Sequence, residues 1–159
     1  MKKIVIASDH GAVALKSEVI FFLKTKSCEV TDMGVQSEDS VDYPDIAVLA
    51  CQEYKKGGYD FGILLCGTGI GMAIAANKIR GIRCAQIFDL FTAEMAKAHN
   101  DANFIALGGR VKYSVSVTEL VENFMMTVFA DERHTRRVNK IMDLDRIRQC
   151  GAFSSGDRV

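Results

Sequence analysis

The stretch LLCGTGIGMAIAANK, residues 64–78, places a cysteine directly before a glycine-rich turn and a run of small residues typical of a helix. The turn comprises Gly67, Thr68, Gly69, Ile70 and Gly71. Its glycines let the backbone bend sharply with several amides pointing one way, and the following helix N-terminus adds partial positive charge. This environment favours the thiolate form of Cys66, and the amides can stabilise an oxyanion. A base beside an oxyanion hole suits proton abstraction next to a carbonyl group.

Further reactive side chains follow other predicted strands. Asp9 and His10 come after the first strand, and Arg110 comes after the fifth. His99 and Asn100 end the helix that follows the fourth strand. Because ligands bind beyond the carboxyl ends of the strands in open parallel sheets, we expect these side chains to meet the thiol at one edge of the sheet.

A basic segment near the C-terminus, DERHTRRVNK, carries two arginines at helical spacing. Arg133 and Arg137 lie four residues apart and share one helix face. Two guanidinium groups on one face match a phosphate well. The alternative is solvated charge paired with Asp131, Glu132 or Asp143.

Two known phosphate-binding patterns resemble the glycine-rich turn without matching it. The P-loop needs four residues between its first glycine and a Gly-Lys pair, which is absent. The dinucleotide pattern G-x-G-x-x-G fails by one residue, because the sequence reads G-x-G-x-G. Asp89 lies about 20 residues further on, where a ribose-binding acid would sit, although it is also the expected N-cap of a helix. A nucleotide-binding regulatory module therefore stays open as an alternative.

The elements that must position these residues follow from the hydrophobic pattern. The predicted strands span residues 2–7, 28–33, 60–66, 82–88 and 103–108. The predicted helices span residues 12–26, 44–56, the glycine turn to 78, 89–100, 114–129 and 132–149. This alternation predicts an α/β fold, a doubly wound five-stranded parallel sheet with helices on both faces and an extra C-terminal helix, Rossmann or flavodoxin-like. We expect one domain over residues 1–149 and a disordered tail over 150–159.

Composition excludes several classes of function. The 159 residues carry 20 basic and 20 acidic side chains, so no global field favours nucleic acid. No apolar run approaches the roughly 20 residues of a membrane span, and the N-terminus has no signal-peptide pattern. We therefore expect a cytoplasmic protein without nucleic-acid or membrane partners.

The five cysteines and three histidines show no C-x-x-C pair and no zinc-ligand spacing. The sequence thus predicts neither a disulfide framework nor a metal site. Cys28, Cys51 and Cys84 lie in apolar surroundings and are expected to be core residues. A thiol redox sensor is a weaker alternative, because it would need a resolving cysteine.

Seven segments together resemble ribose-5-phosphate isomerases of type B, in the family that also contains galactose-6-phosphate isomerase. These segments are SDHGA, DYPD, CGTGIGMAIAANK, IRCA, AHNDAN, LGGR and ERHTRRV, and the likeness covers residues 1 to about 149. The resemblance implies reversible aldose–ketose isomerisation of D-ribose 5-phosphate and D-ribulose 5-phosphate through a cis-enediolate, within the pentose phosphate pathway. It also implies a homodimer or a dimer of dimers, without metal or cofactor. A six-carbon sugar phosphate, such as allose or galactose 6-phosphate, is the alternative substrate.

The resemblance also implies roles for individual residues. Cys66 corresponds to the base that moves the proton between C2 and C1, and His99 to the group that opens the sugar ring. The matching substrate-binding positions are Asp9, His10, Tyr43, Gly67, Thr68, Gly69, Ile70, Gly71, Asn100, Arg110, Arg133 and Arg137. In the family these supply sugar contacts, the amide cradle for the enediolate and a phosphate clamp. Some members lack the cysteine and use a glutamate elsewhere, so Cys66 places this chain with the thiol type.

Overall fold

The computed structural model describes residues 1–150 and contains the predicted sheet. Its strands are β1 (Lys3–Ser8), β2 (Glu29–Asp32), β3 (Phe61–Cys66), β4 (Cys84–Gln86) and β5 (Phe104–Gly108). They lie in the order β2-β1-β3-β5-β4, and every neighbouring pair is parallel. The prediction of a doubly wound parallel sheet is confirmed.

Within residues 1–150, six α-helices connect and follow the strands. They are α1 (Val13–Thr25), α2 (Tyr43–Lys55), α3 (Ile70–Ala76), α4 (Leu90–Ala98), α5 (Val117–Met126) and α6 (Asp131–Cys150). A single 3₁₀ turn, His10–Ala12, leads into α1. Apart from Cys150, the predicted tail 150–159 lies outside the described residues. No helix within residues 1–150 has the length and apolar character needed to cross a membrane.

Helices cover both faces of the sheet, because successive strand side chains point to opposite faces and both sets are apolar. Ile4, Ile6 and Ile63 pack with α1, α4 and α5 on one face. Val5 and Leu64 pack with α2 and α3 on the other face. This double burial explains why the strands read as continuous apolar runs.

β4 is shorter than predicted because it forms one edge of the sheet. The Asn77 side chain takes the place of a neighbouring strand there. Its Oδ1 accepts from the Cys84 amide at 2.9 Å, and its Nδ2 donates to the Cys84 carbonyl at 2.7 Å. These two bonds satisfy backbone groups that an edge strand would otherwise expose.

The cysteines expected in the core behave as small apolar residues. Cys51 is fully buried, Cys84 is buried and Cys28 is half-buried. Burial raises the pKa of the Cys51 thiol to about 12, and it also raises the pKa of Cys84. Such thiols do not support the redox-sensor alternative.

Gly62 in β3 provides a test of core packing. A Cβ at this position would lie 2.1 Å from the ring of the buried Phe104. We expect Gly62→Ala to lower the free energy of unfolding by about 1–3 kcal/mol, the usual effect of overpacking, as measured by urea denaturation. Gly58→Ala is the control, since no atom lies within 4 Å of its Cβ position and only the left-handed backbone is strained. Equal stability of Gly62→Ala and the wild type would contradict this packing.

Candidate active site

Backbone hydrogen bonds join three loops where β1, β3 and β5 end, which we call the carboxyl edge. The Asp9 amide donates to the Leu65 carbonyl at 3.1 Å, and the Gly109 amide donates to the Cys66 carbonyl at 2.8 Å. The Arg110 amide donates to the Gly67 carbonyl at 3.0 Å. The chain leaves β1 towards β2 and leaves β3 in the opposite direction, so the crevice between them is a topological switch point, the usual ligand site of such sheets.

The thiol of Cys66 lies at this crevice and is held by the turn that follows it. Cys66 is only 5% exposed, and the Gly69 amide donates to its Sγ at 3.1 Å. Gly69 has φ +81°, and a Cβ there would lie 2.9–3.1 Å from the Leu107 backbone. Only glycine therefore lets the turn fold back over the sulfur. A sulfur fixed in this way at a ligand crevice is positioned to act as a base.

Asp9 and His10 lie on the loop beside this turn. Asp9 is buried, and its Oδ1 accepts from the Gly11 amide at 2.8 Å. The Gly11 Cβ position is 3.1 Å from the Gly67 nitrogen, so the two loops touch. His10 Nδ1 accepts from the Val41 amide at 3.2 Å. In the neutral imidazole the proton is therefore on Nε2, which makes that nitrogen a donor.

Tyr43 and Arg110 flank the glycine-rich turn on two sides. The Tyr43 ring lies only 2.6 Å from the point where a Cβ on residue 71 would be. The ring can therefore pack there only because residue 71 is glycine. The Arg110 side chain lies 3.6–3.8 Å from the Cβ position of Gly67. The structure thus brings Asp9, Tyr43 and Arg110 to the glycine-rich turn that holds the thiol.

A buried ion pair supports the loop beside Asp9. Lys16 of α1 is 1% exposed, and its Nζ lies 2.8 Å from Asp32 Oδ2. The same ammonium donates to the Val35 carbonyl at 2.6 Å, while the Val35 amide donates to the Ser8 carbonyl at 3.0 Å. Lys16 therefore ties the loop after β2 to the end of β1, the strand that leads into Asp9.

The expectation that His99 and Asn100 meet Cys66 within one chain is wrong. α4 connects parallel strands and must run back against them, so its last residues lie where the strands begin. The Arg83 side chain, just before β4, donates to the Asn100 carbonyl at 3.2 Å. The Asn103 carbonyl, just before β5, accepts from the Gly62 amide at the start of β3. His99 and Asn100 therefore lie at the opposite edge, which we call the amino edge.

A second group of candidate site residues surrounds His99 at the amino edge. The His134 ring stacks on the His99 ring, with centroids 4.1 Å apart and an interplanar angle of 10°. Arg133 Nε donates to His134 Nε2 at 3.3 Å, and the Ala130 amide donates to the Ala98 carbonyl at 2.9 Å. A cavity of about 520 Å³ opens beside these residues. The start of α6 and the end of α4 thus form one cationic site.

His134 is a member of this group that sequence reasoning missed. It is buried, and burial together with the charges of His99, Arg133 and Arg137 lowers its pKa. The only signal in the sequence is its position between the two arginines, which does not reveal a stacked partner 35 residues earlier.

Arg133 and Arg137 are exposed at the amino edge. None of the described side chains forms an ion pair with either arginine, so the alternative of paired surface charge finds no support in that part of the chain. As far as the described side chains go, the Arg137 guanidinium group and the Nη atoms of Arg133 are available to an anion.

Asp89 has a structural role that weakens the nucleotide-binding alternative. Its Oδ1 accepts from the Thr92 amide at 2.7 Å, and Thr92 Oγ1 accepts from the Asp89 amide at 3.1 Å. This capping box begins α4, and its hydrogen bonds lower the pKa of the carboxyl group. Among the side chains that the structure describes, no cluster of three or more histidine, cysteine or acidic residues could hold a metal ion.

Comparisons with known proteins agree with the fold and the motifs. A family model described as Ribose/Galactose Isomerase matches residues 4–141. A ribose-5-P isomerase B of Listeria innocua is 41% identical over 143 residues, covering 90% of this chain and 97% of that protein. The structure of ribose-5-phosphate isomerase B from Clostridium thermocellum has a TM-score of 0.87 at 42% identity, covering 92% of this chain and 99% of that one. The corresponding Thermotoga maritima structure has a TM-score of 0.85 at 47% identity, covering 89% and 98%.

The environments of the thiols predict their order of reaction with iodoacetamide. Cys66 receives an amide hydrogen bond at the crevice, whereas burial raises the pKa of Cys51 and Cys84. At neutral pH we expect Cys66 to be alkylated well before the other two, because burial keeps the thiols of Cys51 and Cys84 protonated and the thiolate is the nucleophile. Mass spectrometry of peptides after a short exposure measures the order. Faster labelling of Cys51 or Cys84 would contradict this assignment.

Proposed function

The chain belongs to the ribose/galactose isomerase family, and we propose that it interconverts D-ribose 5-phosphate and D-ribulose 5-phosphate. It is an aldose–ketose isomerase. The observation that carries the proposal is the thiol of Cys66 held under the glycine-rich turn at the crevice, with its sulfur accepting from the Gly69 amide. This arrangement supplies a base and an amide cradle side by side, which is what proton transfer next to a carbonyl requires.

At the carboxyl edge, Cys66 performs the carbon chemistry. Its thiolate removes the proton from C2 of the open-chain aldose, and a C1–C2 double bond forms as the carbonyl oxygen gains negative charge. The turn amides stabilise that charge. The thiol then returns the proton to C1, while the O2 proton passes to O1, so that O2 becomes the carbonyl oxygen of the ketose and O1 becomes its hydroxyl. The electrons stay within the sugar, so the step is balanced without a redox partner.

At the amino edge, His99 and the arginines perform two other tasks. His99 moves the proton that opens the furanose ring, and Arg133 and Arg137 bind the phosphate. Asn100 adds a contact to the sugar. This division of work assigns each task to the chemical type suited to it, with an imidazole for proton transfer between oxygens and guanidinium groups for a dianion.

One chain cannot join the two halves around a single substrate. The strands that separate the edges contain five or six residues and span roughly 17–20 Å, much longer than a pentose phosphate. We therefore propose a homodimer in which the carboxyl edge of one copy faces the amino edge of the other. A two-fold axis then creates two identical sites.

Exposed apolar side chains near the carboxyl edge support such an interface. These exposed side chains lie on α3 and around the start of α4, and they are Ile70, Ile74, Phe88, Leu90 and Phe91. Phe91 is 69% exposed. A group of large apolar side chains left exposed on a single chain marks an interaction surface. In the proposed dimer a second copy covers them.

Isomerisation in deuterated water tests the reaction and the base together. We expect the wild type to convert ribose 5-phosphate to the ketose with deuterium at C1, observed by NMR. Cys66→Ser should reduce exchange by about 10²- to 10⁴-fold, the usual contribution of a general base, while substrate still binds. Cys28→Ser is the matched control and should remain active, because Cys28 lies outside both edge sites. If Cys66→Ser kept most of its exchange activity, the thiol would not be the base.

Subunit mixing tests whether two copies share each site. Cys66→Ser and His99→Ala should each be inactive alone. After the two are mixed and reassembled, we expect about a quarter of wild-type activity, because half of the dimers are mixed and each mixed dimer holds one intact site. Each variant refolded alone is the control. No recovery in a mixture proven to contain mixed dimers would place both residues in one chain's own site.

A further inference from the structure

The turn that follows α4 carries His99 and Asn100 and has an unusual backbone. Asp101 adopts φ +41°, in the left-handed region, and its amide donates to the Lys97 carbonyl at 3.0 Å. This is a helix C-cap of the type in which glycine normally occupies the left-handed position. Asp101 bears a Cβ there, so contacts from outside the turn must hold it in place.

Arg83 supplies most of those contacts. Its Nε donates to the carbonyls of Asn100 at 3.2 Å and Asp101 at 3.0 Å. Its Nη2 donates to the Asp101 carbonyl at 2.5 Å and to Asp101 Oδ2 at 3.1 Å. The side chain is 17% exposed. One guanidinium group therefore binds two consecutive carbonyls and a carboxylate, a geometry that the point charge of a lysine cannot reproduce.

The same side chain connects the turn to α6. Arg83 Nη1 lies 3.3 Å from Met142 Sδ, and Met142 is on the helix that begins with Arg133 and His134. The backbone of Arg83 is itself fixed, because its amide donates to Asn103 Oδ1 at 2.7 Å. Arg83 thus holds the end of α4 in a defined position against α6.

The aspartate at position 101 is explained by this contact. Glycine would adopt the left-handed conformation more easily, but it would offer no carboxylate to Arg83. The Asp101 carboxylate also pairs with Lys97 on the last turn of α4. The turn is therefore held by charge at a point where the backbone alone does not favour it.

We infer that Arg83 is a positioning residue for the amino-edge half of the site. This inference rests on the proposed function. Arg83 acts through the 99–101 turn, which sets the place of His99 beneath the His134 ring and of Asn100 beside it. Its loss should impair ring opening, the task of His99, and spare the proton transfer performed by Cys66.

The two sugar phosphates separate these tasks. Ribose 5-phosphate forms a furanose ring and needs ring opening. Ribulose 5-phosphate has its C5 hydroxyl blocked by phosphate, stays open-chain, and needs only Cys66 to exchange its C1 proton. For Arg83→Met we expect turnover of ribose 5-phosphate to fall about 10- to 100-fold, the effect of a slightly misplaced catalytic group. Exchange at C1 of saturating ribulose 5-phosphate in deuterated water should change far less. Equal losses on both substrates would overturn the inference.

Subunit mixing identifies the half of the site that Arg83 serves. Arg83→Met should regain activity when it is mixed with Cys66→Ser, because the mixed dimer combines an intact thiol half with an intact histidine half. It should regain none with His99→Ala, since both variants are damaged in the same half. The reverse pattern would assign Arg83 to the thiol half and overturn the inference. A general loss of stability would show no preference for either partner.

Two further variants keep the test decisive. Lys24→Met also replaces a positive side chain with methionine, at an exposed position on α1, and it should retain both activities. Asp101→Asn keeps a residue that tolerates the left-handed region but removes the carboxylate, and it should shift the ratio of the two activities in the same direction as Arg83→Met. If the mixture of Cys66→Ser and His99→Ala regains no activity, the proposed shared site is wrong. The ratio of ribose 5-phosphate turnover to ribulose 5-phosphate exchange, measured for Arg83→Met alone, then still decides the role of Arg83.

Discussion

The direction of a crossover helix is the constraint on which the rest of this structure depends. A helix between two parallel strands must return to the edge where the strands begin, so the two ends of each connection lie at opposite edges. Residues that directly follow a strand, such as Cys66 after β3, lie at the carboxyl edge. Residues that end a helix, such as His99 after α4, lie at the amino edge. The division of the candidate site into two halves follows from this geometry alone.

Much of the fold could be predicted from the sequence because the relevant signals are local. Apolar runs indicated the five strands, and the Asp89 N-cap marked the start of α4 where the structure has it. The glycine pair at 57 and 58, both with positive φ, directly follows the predicted end of α2 at residue 56. The exception is β4, whose apolar run of seven residues yields three strand residues. Among the described residues no strand pairs with its outer edge. The Asn77 side chain binds Cys84 there instead, and residue spacing cannot reveal that contact.

The candidate site was predictable only in part, for the same reason. Asp9, Cys66 and Arg110 directly follow strands, so strand order and direction bring them together. His99 also follows a strand in sequence, but a helix lies between, and that helix moves it to the other edge. His134 stacks on His99 through tertiary packing, and no pattern of residue types records such a contact. Sequence motifs identify the members of a site more readily than they identify which copy of the chain supplies each member.

The two halves of the candidate site use different chemical groups, backbone amides in one and cationic side chains in the other. Each kind of group belongs to a different structural element, so the two halves can lie at opposite edges of the sheet. The carboxyl-edge half uses backbone amides and needs glycine where Gly69 approaches Leu107, so it belongs to a tight loop at a strand end. The amino-edge half uses cationic side chains and needs a rigid support, which the end of α4, the start of α6 and the Arg83 contact provide. Neither half can replace the other, because amides cannot neutralise a phosphate dianion as guanidinium groups do, and a solvated helix face cannot hold an oxyanion under a turn. In the proposed dimer, association of two copies would join the halves without a longer loop in either chain, and the complete site would then be a property of the dimer.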